Sequence, residues 1–328
     1  MLFRSRLESG DATPSCPQES MAKSVSEASE LNDPEKHPFT VLSPQLVLKV
    51  SGNTRSDSYR LRKDRTISEQ RNSSVFTGHR NGKRVVVKFV KPGYSSGDQA
   101  QETKSQYNMF LAEVTALRRV GKHKSIVQLV ACDARLFALY LDMVPGASLA
   151  DPEWCSPGYR FMGDEKAAQR ILNDMYGAIE HIHSLGIVHM DIKPANIVFD
   201  TRRGAVLIDF GHSVAVDPKD RATHLGGSPW YLPPEFQSEQ KRGRPADIWA
   251  LGVVGLYIFH SLLLPDRPGN KGWVIADVHK NDEDGYGASS AMTEWLHHID
   301  ELRARLQDGN RGKLIWGMLD TNSQKRSL

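Results

Sequence analysis

The segment HMDIKPANIVFD, residues 189–200, constrains the fold of this chain more than any other part of the sequence. It gathers polar and charged residues between two apolar runs, which is typical of a loop that projects from buried elements. It contains Asp191, Lys193 and Asn196, and a second carboxylate follows at Asp209 in the segment LIDFG. Phosphoryl transfer uses such groups: a carboxylate at the acceptor hydroxyl, an amide and a second carboxylate on Mg²⁺, and a cation on the phosphates. The segment therefore indicates phosphoryl-transfer chemistry.

Together, the two segments resemble the catalytic loop H-R-D-x-K-x-x-N and the D-F-G motif of the eukaryotic protein kinases. Met190 departs from the family pattern, because most members have arginine at that position. The resemblance implies an α+β, bilobal protein kinase fold with a small β-rich N-lobe and a larger helical C-lobe. It also implies that Asp191, Lys193 and Asn196 are catalytic and that Asn196 and Asp209 hold Mg²⁺.

The first apolar run in the part of the chain that resembles a protein kinase lies in residues 67–90. Its pattern predicts three strands, with a turn at Asn81-Gly82 between the last two. Lys88 is a charge inside the otherwise apolar run VVVKF. An ordinary strand with one outward lysine would give the same pattern. In the resemblance, Lys88 is the strand lysine that reaches the α- and β-phosphates of ATP.

A helix is predicted over Gln101–Val120, because Phe110, Val114 and Leu117 form an apolar stripe at helical spacing. Glu113 lies at the edge of this stripe, where an acid is often only a solvated flank residue. In the resemblance, Glu113 is the helix glutamate that pairs with the strand lysine.

The loop before the lysine strand departs from the family. Where the family has G-x-G-x-x-G-x-V, this chain has SEQRNSSV, and alignment on Val75 puts Ser68, Gln70 and Ser73 at the glycine positions. Glycine lets the backbone approach phosphates because it has no Cβ. We expect the replacement to loosen or reshape the cover over the nucleotide without removing a catalytic group.

Two further strands are predicted over Ile126–Ala134 and Leu136–Val144, and the second runs into Pro145-Gly146, which suits a hinge. Ordinary core strands would have the same composition. The resemblance makes Leu141 the residue at the back of the adenine pocket and gives Asp142 and Val144 backbone groups that bind adenine. The residues that the resemblance assigns to the ATP site are Ile67, Val75, Val86, Lys88, Glu113, Leu141, Asp142, Val144, Val198 and Asp209.

The segment from Asp209 to Glu235 resembles a kinase activation segment and ends in GSPWYLPPE. Ser228 stands at the family's threonine position, and Ser228 together with Lys193 follows the pattern of serine/threonine kinases. The usual arginine at position 190 binds a phosphate on this segment, and methionine cannot. We therefore expect activity to depend little on phosphorylation of the activation segment.

Two pairings are expected in the large lobe. Asp247, in RPADIWALG, matches the family's D-x-W-x-x-G, and we expect it to accept backbone hydrogen bonds from the catalytic loop, since an unpaired buried carboxylate is costly. Glu235 is expected to pair with Arg326 near the end of the chain. Because the sequence ends two residues after Arg326, the last helix of the fold is expected to be short or missing.

The chain divides into four predicted regions. Residues 1–38 are rich in Ser, Glu and Pro and lack an apolar period, which predicts a disordered tail. We expect residues 39–66 to form an N-terminal extension with one or two strands, residues 67–144 the N-lobe, and residues 145–328 the C-lobe.

Composition limits the partners and the compartment. The 39% hydrophobic content suffices for a sizeable core, and a net charge of +3 gives no case for binding nucleic acid or a membrane surface. Three cysteines without close spacing suggest reduced thiols and an intracellular protein, cytoplasmic or nuclear. The apolar run over residues 248–264 is nearly long enough to span a bilayer, but it contains His260 and two glycines, so we interpret it as a buried helix.

The expected function is transfer of the ATP γ-phosphoryl group to Ser or Thr hydroxyls of a protein substrate. A pseudokinase scaffold is one alternative, which the glycine-poor loop and Met190 favour. A small-molecule phosphotransferase is another, which the P-P-E element and Asp247 oppose. A metal site formed by His181, His183 and His189 is disfavoured, because neither a cysteine nor a carboxylate at suitable spacing completes a ligand set. We expect His189 to pack against Phe210 and order the loop instead. The sequence indicates neither the physiological substrate nor an oligomeric state.

Overall fold

The computed structural model describes residues 47–50, 58–70, 73–91, 99–216, 222–223, 225–280, 287–306 and 310–326. The predicted tail, residues 1–38, lies outside the described residues. The chain forms two compact units. The first runs to Tyr94 and includes Asp133–Ala138, and the second consists of Ser95–Cys132 and Leu139–Leu328.

The first unit contains a sheet in which consecutive strands pair antiparallel. These strands are β1 (Val47–Val50), β2 (Tyr59–Glu69), β3 (Ser73–Arg80) and β4 (Lys83–Val90). The predicted turn between β3 and β4 is confirmed, because Asn81 and Gly82 both have positive φ angles, 50° and 79°. Two such residues give the turn whose twist matches that of the flanking strands.

Strand β2 begins at Tyr59, eight residues before the predicted start of the strands at Ile67. In the sequence, basic residues hide the alternation of inward and outward positions along β2. Tyr59 and Leu61 are buried, and Lys63, two residues further, is also buried with its ammonium group 5.2 Å from the centre of the Phe76 ring. A lysine can pack its aliphatic stem and place its charge over an aromatic ring, so it fills an inward position that a hydrophobicity pattern treats as polar.

The second unit is mainly helical. Its helices are α1 (Gln99–Val120), α2 (Glu165–Ser184), α3 (Glu235–Glu239), α4 (Arg244–Ile258), α5 (Ala288–Ala304) and α6 (Asn310–Met318). The remaining strands of the chain are β5 (Leu129–Asp133), β6 (Ala138–Leu141), β7 (Ala147–Ser148), β8 (Ile187–Val188), β9 (Ile197–Asp200), β10 (Gly204–Leu207), β11 (Val214–Ala215), β12 (Ala222–Thr223) and β13 (Lys241–Arg242). The predicted α+β class, with a β-rich N-terminal region and a helical C-terminal region, is confirmed.

Helix α4 lies in the core of the second unit and is buried on nearly every side. It accounts for much of the apolar run over residues 248–264, which we interpreted as a buried helix. Its glycines make room for α6 and for the residue after it, because a Cβ on Gly255 would lie 3.2 Å from Ile315 and one on Gly252 2.8 Å from the Leu319 side chain. Within the part of the chain that the structure describes, no helix is long and apolar enough to cross a membrane.

Candidate active site

The predicted catalytic loop connects β8 to β9, and His189 fixes it to the neighbouring segment. The imidazole of His189 packs edge-on against Phe210, with ring centres 4.8 Å apart, as predicted. Its Nε2 atom lies 3.2 Å from the Ile208 carbonyl oxygen, and the Asp191 amide donates to its Nδ1 at 3.3 Å. One buried side chain thereby connects the loop to the segment that carries Asp209.

Asp247, at the start of α4, binds backbone amides of the same loop. Its Oδ2 accepts the His189 amide at 2.8 Å, and its Oδ1 accepts the Met190 amide at 2.9 Å. The predicted role of Asp247 is thus confirmed. His183 Nε2 also bonds Oδ2, at 2.9 Å. The sequence suggests no such bond for His183, which lies eight residues before Asp191.

These hydrogen bonds control the ionisation of Asp247. Burial alone raises the pKa of the carboxyl, but the bond from His183, the nearby His189 and the His189 amide lower it below its ordinary value overall. A carboxylate with a depressed folded-state pKa stabilises the fold above the ordinary aspartate pKa of about 3.9. That stabilisation is lost as pH falls through the folded-state pKa.

We expect Asp247→Asn to lower the free energy of unfolding by about 2 to 3 kcal/mol at neutral pH, because an amide cannot accept from all three donors. The difference between variant and wild type should shrink below about pH 4, where the wild-type carboxylate begins to protonate. Urea unfolding between about pH 7 and about pH 3 measures both effects. A difference that stays constant over this range would contradict the assigned ionisation.

The predicted catalytic residues come together around Asp191, which is 5% exposed. Its Oδ2 atom contacts Lys193 Nζ at 3.0 Å and accepts a hydrogen bond from Asn196 Nδ2 at 3.0 Å. Lys193 also donates to Ser228 Oγ at 2.7 Å. The other carboxylate oxygen, Asp191 Oδ1, is buried and has no hydrogen-bond partner among the described residues. One oxygen is therefore held in place, and the other keeps an unused capacity to accept a hydrogen bond.

The hairpin of β9 and β10 carries the two predicted metal ligands. Asn196 precedes β9, and Ile208, after β10, donates its amide to the Asn196 carbonyl at 3.0 Å. Asp209 therefore follows directly on this pairing. It adopts a left-handed backbone conformation, with φ 63°, and its Oδ1 accepts the Gly211 amide at 3.2 Å.

The donor atoms of this hairpin suit Mg²⁺. The Asn196 Nδ2 group donates to the Asp191 backbone and side chain, at 2.8 and 3.0 Å, so Oδ1 is the atom of this amide with which it could bind a cation. With the Asp209 carboxylate, it offers hard oxygen ligands, which Mg²⁺ prefers. The residues present therefore fit the implied metal.

The other predicted ATP-site residues are distributed over both units. Lys88 on β4 and Glu113 on α1 are both buried, as is Leu141. Lys88 and Glu113 belong to different units, so their pairing stays a prediction. Ile67 is 53% exposed. Half-buried positions are occupied by Val75, Val86, Asp142, Val144 and Val198.

Asp142 is more constrained than its predicted role requires. Its amide donates to the Gln128 carbonyl at 2.9 Å, and its Oδ1 accepts the Gln128 amide at 2.7 Å. Its Oδ2 accepts from Arg203 at 3.2 Å. The backbone group that remains for an adenine ring is the Asp142 carbonyl.

Side chains brace the glycine-poor loop in a way that the sequence did not indicate. Glu69 accepts a hydrogen bond from Ser74 Oγ at 2.5 Å and forms an ion pair with Lys91. Lys91 also donates to the Gln70 carbonyl at 2.9 Å, and the Gln70 amide donates to the Ser73 carbonyl at 2.9 Å. The hairpin is thus held by polar contacts, in which Gln70 and Ser73, at two of the glycine positions, take part through their backbone groups.

The three histidines weighed as a metal cluster have separate partners. His181 stacks on His123 at 4.9 Å and bonds the Val120 carbonyl at 2.9 Å. His183 bonds Asp247, and His189 bonds Ile208. Each ring has a structural contact of its own.

The predicted pair of Glu235 and Arg326 is confirmed. Two parallel hydrogen bonds join the guanidinium to the carboxylate, at 2.8 and 2.7 Å, and the side chains are 0% and 9% exposed for Arg326 and Glu235. Arg326 also donates to the Asp320 carbonyl at 2.6 Å. This pair ties the end of the activation segment to the C-terminal residues.

Known proteins resemble this chain over most of the described region. Residues 61–327 match the family described as protein kinase domain. CBL-interacting protein kinase 22 of Oryza sativa subsp. japonica is 31% identical over 226 residues, which cover 63% of this chain and 49% of that protein. Probable serine/threonine-protein kinase MARK-C of Dictyostelium discoideum is 29% identical over 221 residues, 66% of this chain and 27% of that protein.

Calcium/calmodulin-dependent protein kinase type 1B of Homo sapiens is 33% identical over 147 residues, which cover 43% of this chain and 41% of that protein. The aligned regions thus span about half or less of the length of these relatives.

Proposed function

The chain belongs to the eukaryotic protein kinase family, and we propose that it transfers the γ-phosphoryl group of MgATP to serine or threonine hydroxyls of protein substrates. The observation that carries this proposal is the state of Asp191. One carboxylate oxygen is fixed by Lys193 and Asn196, while the other is buried without a partner among the described residues. A buried polar atom without a partner is costly, and an acceptor hydroxyl would satisfy it.

In this proposal, Asp191 Oδ1 accepts the hydrogen bond of the acceptor hydroxyl and takes its proton. The hydroxyl oxygen bonds the γ-phosphorus as the bond from that phosphorus to ADP breaks, and ADP leaves. The contacts to Oδ2 hold the carboxylate in one orientation. MgATP, when bound, supplies the phosphoryl group and a cation that offsets the phosphate charge. Lys193 offsets charge that develops on the transferred group.

The remaining assignments follow the family resemblance. Asn196 and Asp209 would hold Mg²⁺, and Lys88, oriented by Glu113, would bind the α- and β-phosphates. Specificity for serine and threonine is supported by the contact between Lys193 and Ser228, 2.7 Å, because this lysine and hydroxyl are the pair that the serine/threonine pattern predicts.

A pseudokinase remains the second candidate, and it has its own observation. The glycine-poor hairpin is braced by Glu69 and Lys91, so its backbone is less free to close over phosphates than a glycine loop would be. The braced hairpin predicts weaker nucleotide binding, which favours a pseudokinase. The contacts that orient the Asp191 carboxylate favour an enzyme, because a protein without catalysis does not require them.

Transfer of radioactive phosphate from γ-labelled ATP to a peptide array, followed by identification of the labelled amino acid, tests the proposal. We expect label on serine and threonine, and an array also reports the flanking residues that the enzyme prefers. Label on tyrosine alone would contradict the specificity, and label on a small metabolite alone would favour a small-molecule phosphotransferase. Incorporation no greater than that of Asp191→Asn would favour the pseudokinase.

A further inference from the structure

Arg242, on β13, is a buried cation next to the catalytic loop. It is 2% exposed. Its Nη1 donates to the Met190 carbonyl at 3.3 Å, and its Nη2 donates to the Gly226 carbonyl at 2.5 Å. One guanidinium therefore bridges two backbone segments, the catalytic loop and the activation segment, that lie 36 residues apart in the chain.

The peptide groups of Met190 are held from both sides by a short stretch of chain. Asp247 accepts the Met190 amide at 2.9 Å, and Arg242 donates to the Met190 carbonyl. Met190 has a left-handed backbone, with φ 68°, a conformation that a non-glycine residue keeps only where its surroundings impose it. Because Asp191 is the next residue, the orientation of its carboxylate depends on these contacts.

The activation segment lies close against the same carbonyl. A Cβ on Gly227 would be 2.7 Å from the Met190 oxygen and 3.7 Å from Asp191 Oδ1, and Gly227 has a φ of 103°. A few residues earlier, β12 pairs with β13, with Ala222 opposite Arg242. Arg242 thus holds the activation segment through its backbone at one point and through its side chain at another.

The guanidinium keeps its charge in this environment. Burial lowers the pKa of Arg242 to about 10, although the Asp247 and Asp191 carboxylates act to raise it. It is therefore cationic at neutral pH. The Phe236 ring lies 5.4 Å from the guanidinium carbon, and a cation over a ring face is stabilised by the ring quadrupole.

We infer that Arg242 is a positioning residue that joins the catalytic loop to the activation segment, and that it does so without a phosphate, in place of the arginine that the loop lacks at Met190. This inference rests on the proposed kinase function. Two nitrogens of the buried Arg242 guanidinium donate to backbone carbonyls of the two segments, so this connection is made without a phosphorylated residue. Regulation of this kinase should accordingly act elsewhere than on a phosphate of the activation segment.

The test compares Arg242→Met with Lys241→Met, an exposed neighbour on the same strand, both treated with phosphatase. Arg242→Met should lower kcat for peptide phosphorylation by about 10- to 100-fold, because a small displacement of Asp191 impairs transfer. KM for ATP should change less than about twofold, since the proposed nucleotide contacts lie elsewhere. Lys241→Met should retain wild-type kcat, and phosphatase treatment should leave the wild type active.

Hydrogen exchange of the free protein provides a readout that needs no activity. Arg242→Met should speed exchange in peptides that cover residues 187–191 and 222–228 but not in α2, whereas Lys241→Met should leave all three unchanged. Local loosening with a kcat loss supports the inference. Unchanged exchange, or phosphatase treatment that abolishes wild-type activity, overturns it.

Gly227→Ala covers the case in which Arg242→Met fails to fold. It keeps Arg242 but pushes the activation segment off the Met190 carbonyl, and it should reproduce the kcat loss. Wild-type kcat in Gly227→Ala overturns the inference. Failure of the proposed function is distinguishable, because wild type and Asp191→Asn would then be equally inactive while the exchange result still stands.

Discussion

Asp191→Asn should lower the rate of phosphoryl transfer to a peptide by about 10²- to 10⁴-fold, the usual contribution of a positioned general base. Asparagine has nearly the same shape and can still accept from Lys193 and Asn196 through its carbonyl oxygen. It cannot take a proton from the acceptor hydroxyl. The loss should therefore appear in kcat, while KM for ATP changes little.

Initial rates with saturating ATP and Mg²⁺ measure this effect, and thermal unfolding shows that the variant is folded. Asp300→Asn is a matched control, because Asp300 is 62% exposed and lies on α5, away from the site. It should retain the wild-type rate. A folded Asp191→Asn protein with more than about a tenth of wild-type kcat would show that this carboxylate is not the base.

Removing one partner of the buried Glu235–Arg326 pair should lower the free energy of unfolding by about 3 to 5 kcal/mol, because the other charge is left buried and unpaired. Glu235→Gln keeps the shape of the side chain and removes the charge, and Arg326→Met removes the two hydrogen bonds at 2.8 and 2.7 Å. Urea unfolding of each variant measures the loss. The same substitution at Glu301, which is 48% exposed, should change stability by less than about 0.5 kcal/mol.

The double variant Glu235→Gln with Arg326→Met sharpens this prediction. With both charges removed, it should be more stable than the sum of the single losses implies, because no unpaired charge remains. Strictly additive losses, or single variants as stable as wild type, would show that the pair does not stabilise the fold.

The contacts that the sequence predicted are those in which a motif names both partners. Asp247 had to find donors because a buried carboxylate cannot stay unpaired, and the catalytic loop was the nearest source of backbone amides in the family pattern. The Glu235–Arg326 pair and the packing of His189 on Phe210 were predictable for the same reason. In each case the chemistry of one residue demanded a partner, and the resemblance supplied its position.

The contacts that could not be predicted from the sequence involve residues whose chemistry does not require a particular partner. Arg242 is one of two arginines in KRGRPAD, and its burial depends on how β13 pairs with β12, which no local pattern encodes. Likewise, the start of β2 was missed because Lys63 is buried by its stem and by the Phe76 ring. Both errors concern cations inside the protein, where tertiary packing overrides a hydrophobicity pattern.

Phosphorus NMR of the purified protein with MgATP and a serine- or threonine-containing peptide tests the central claim most directly. The account predicts that the γ-phosphate signal of ATP declines while a phosphate monoester signal of the peptide rises in equal amount, and that neither change occurs with Asp191→Asn. An unchanged ATP spectrum, or conversion of the γ-phosphate to inorganic phosphate with no signal from the peptide, would contradict it.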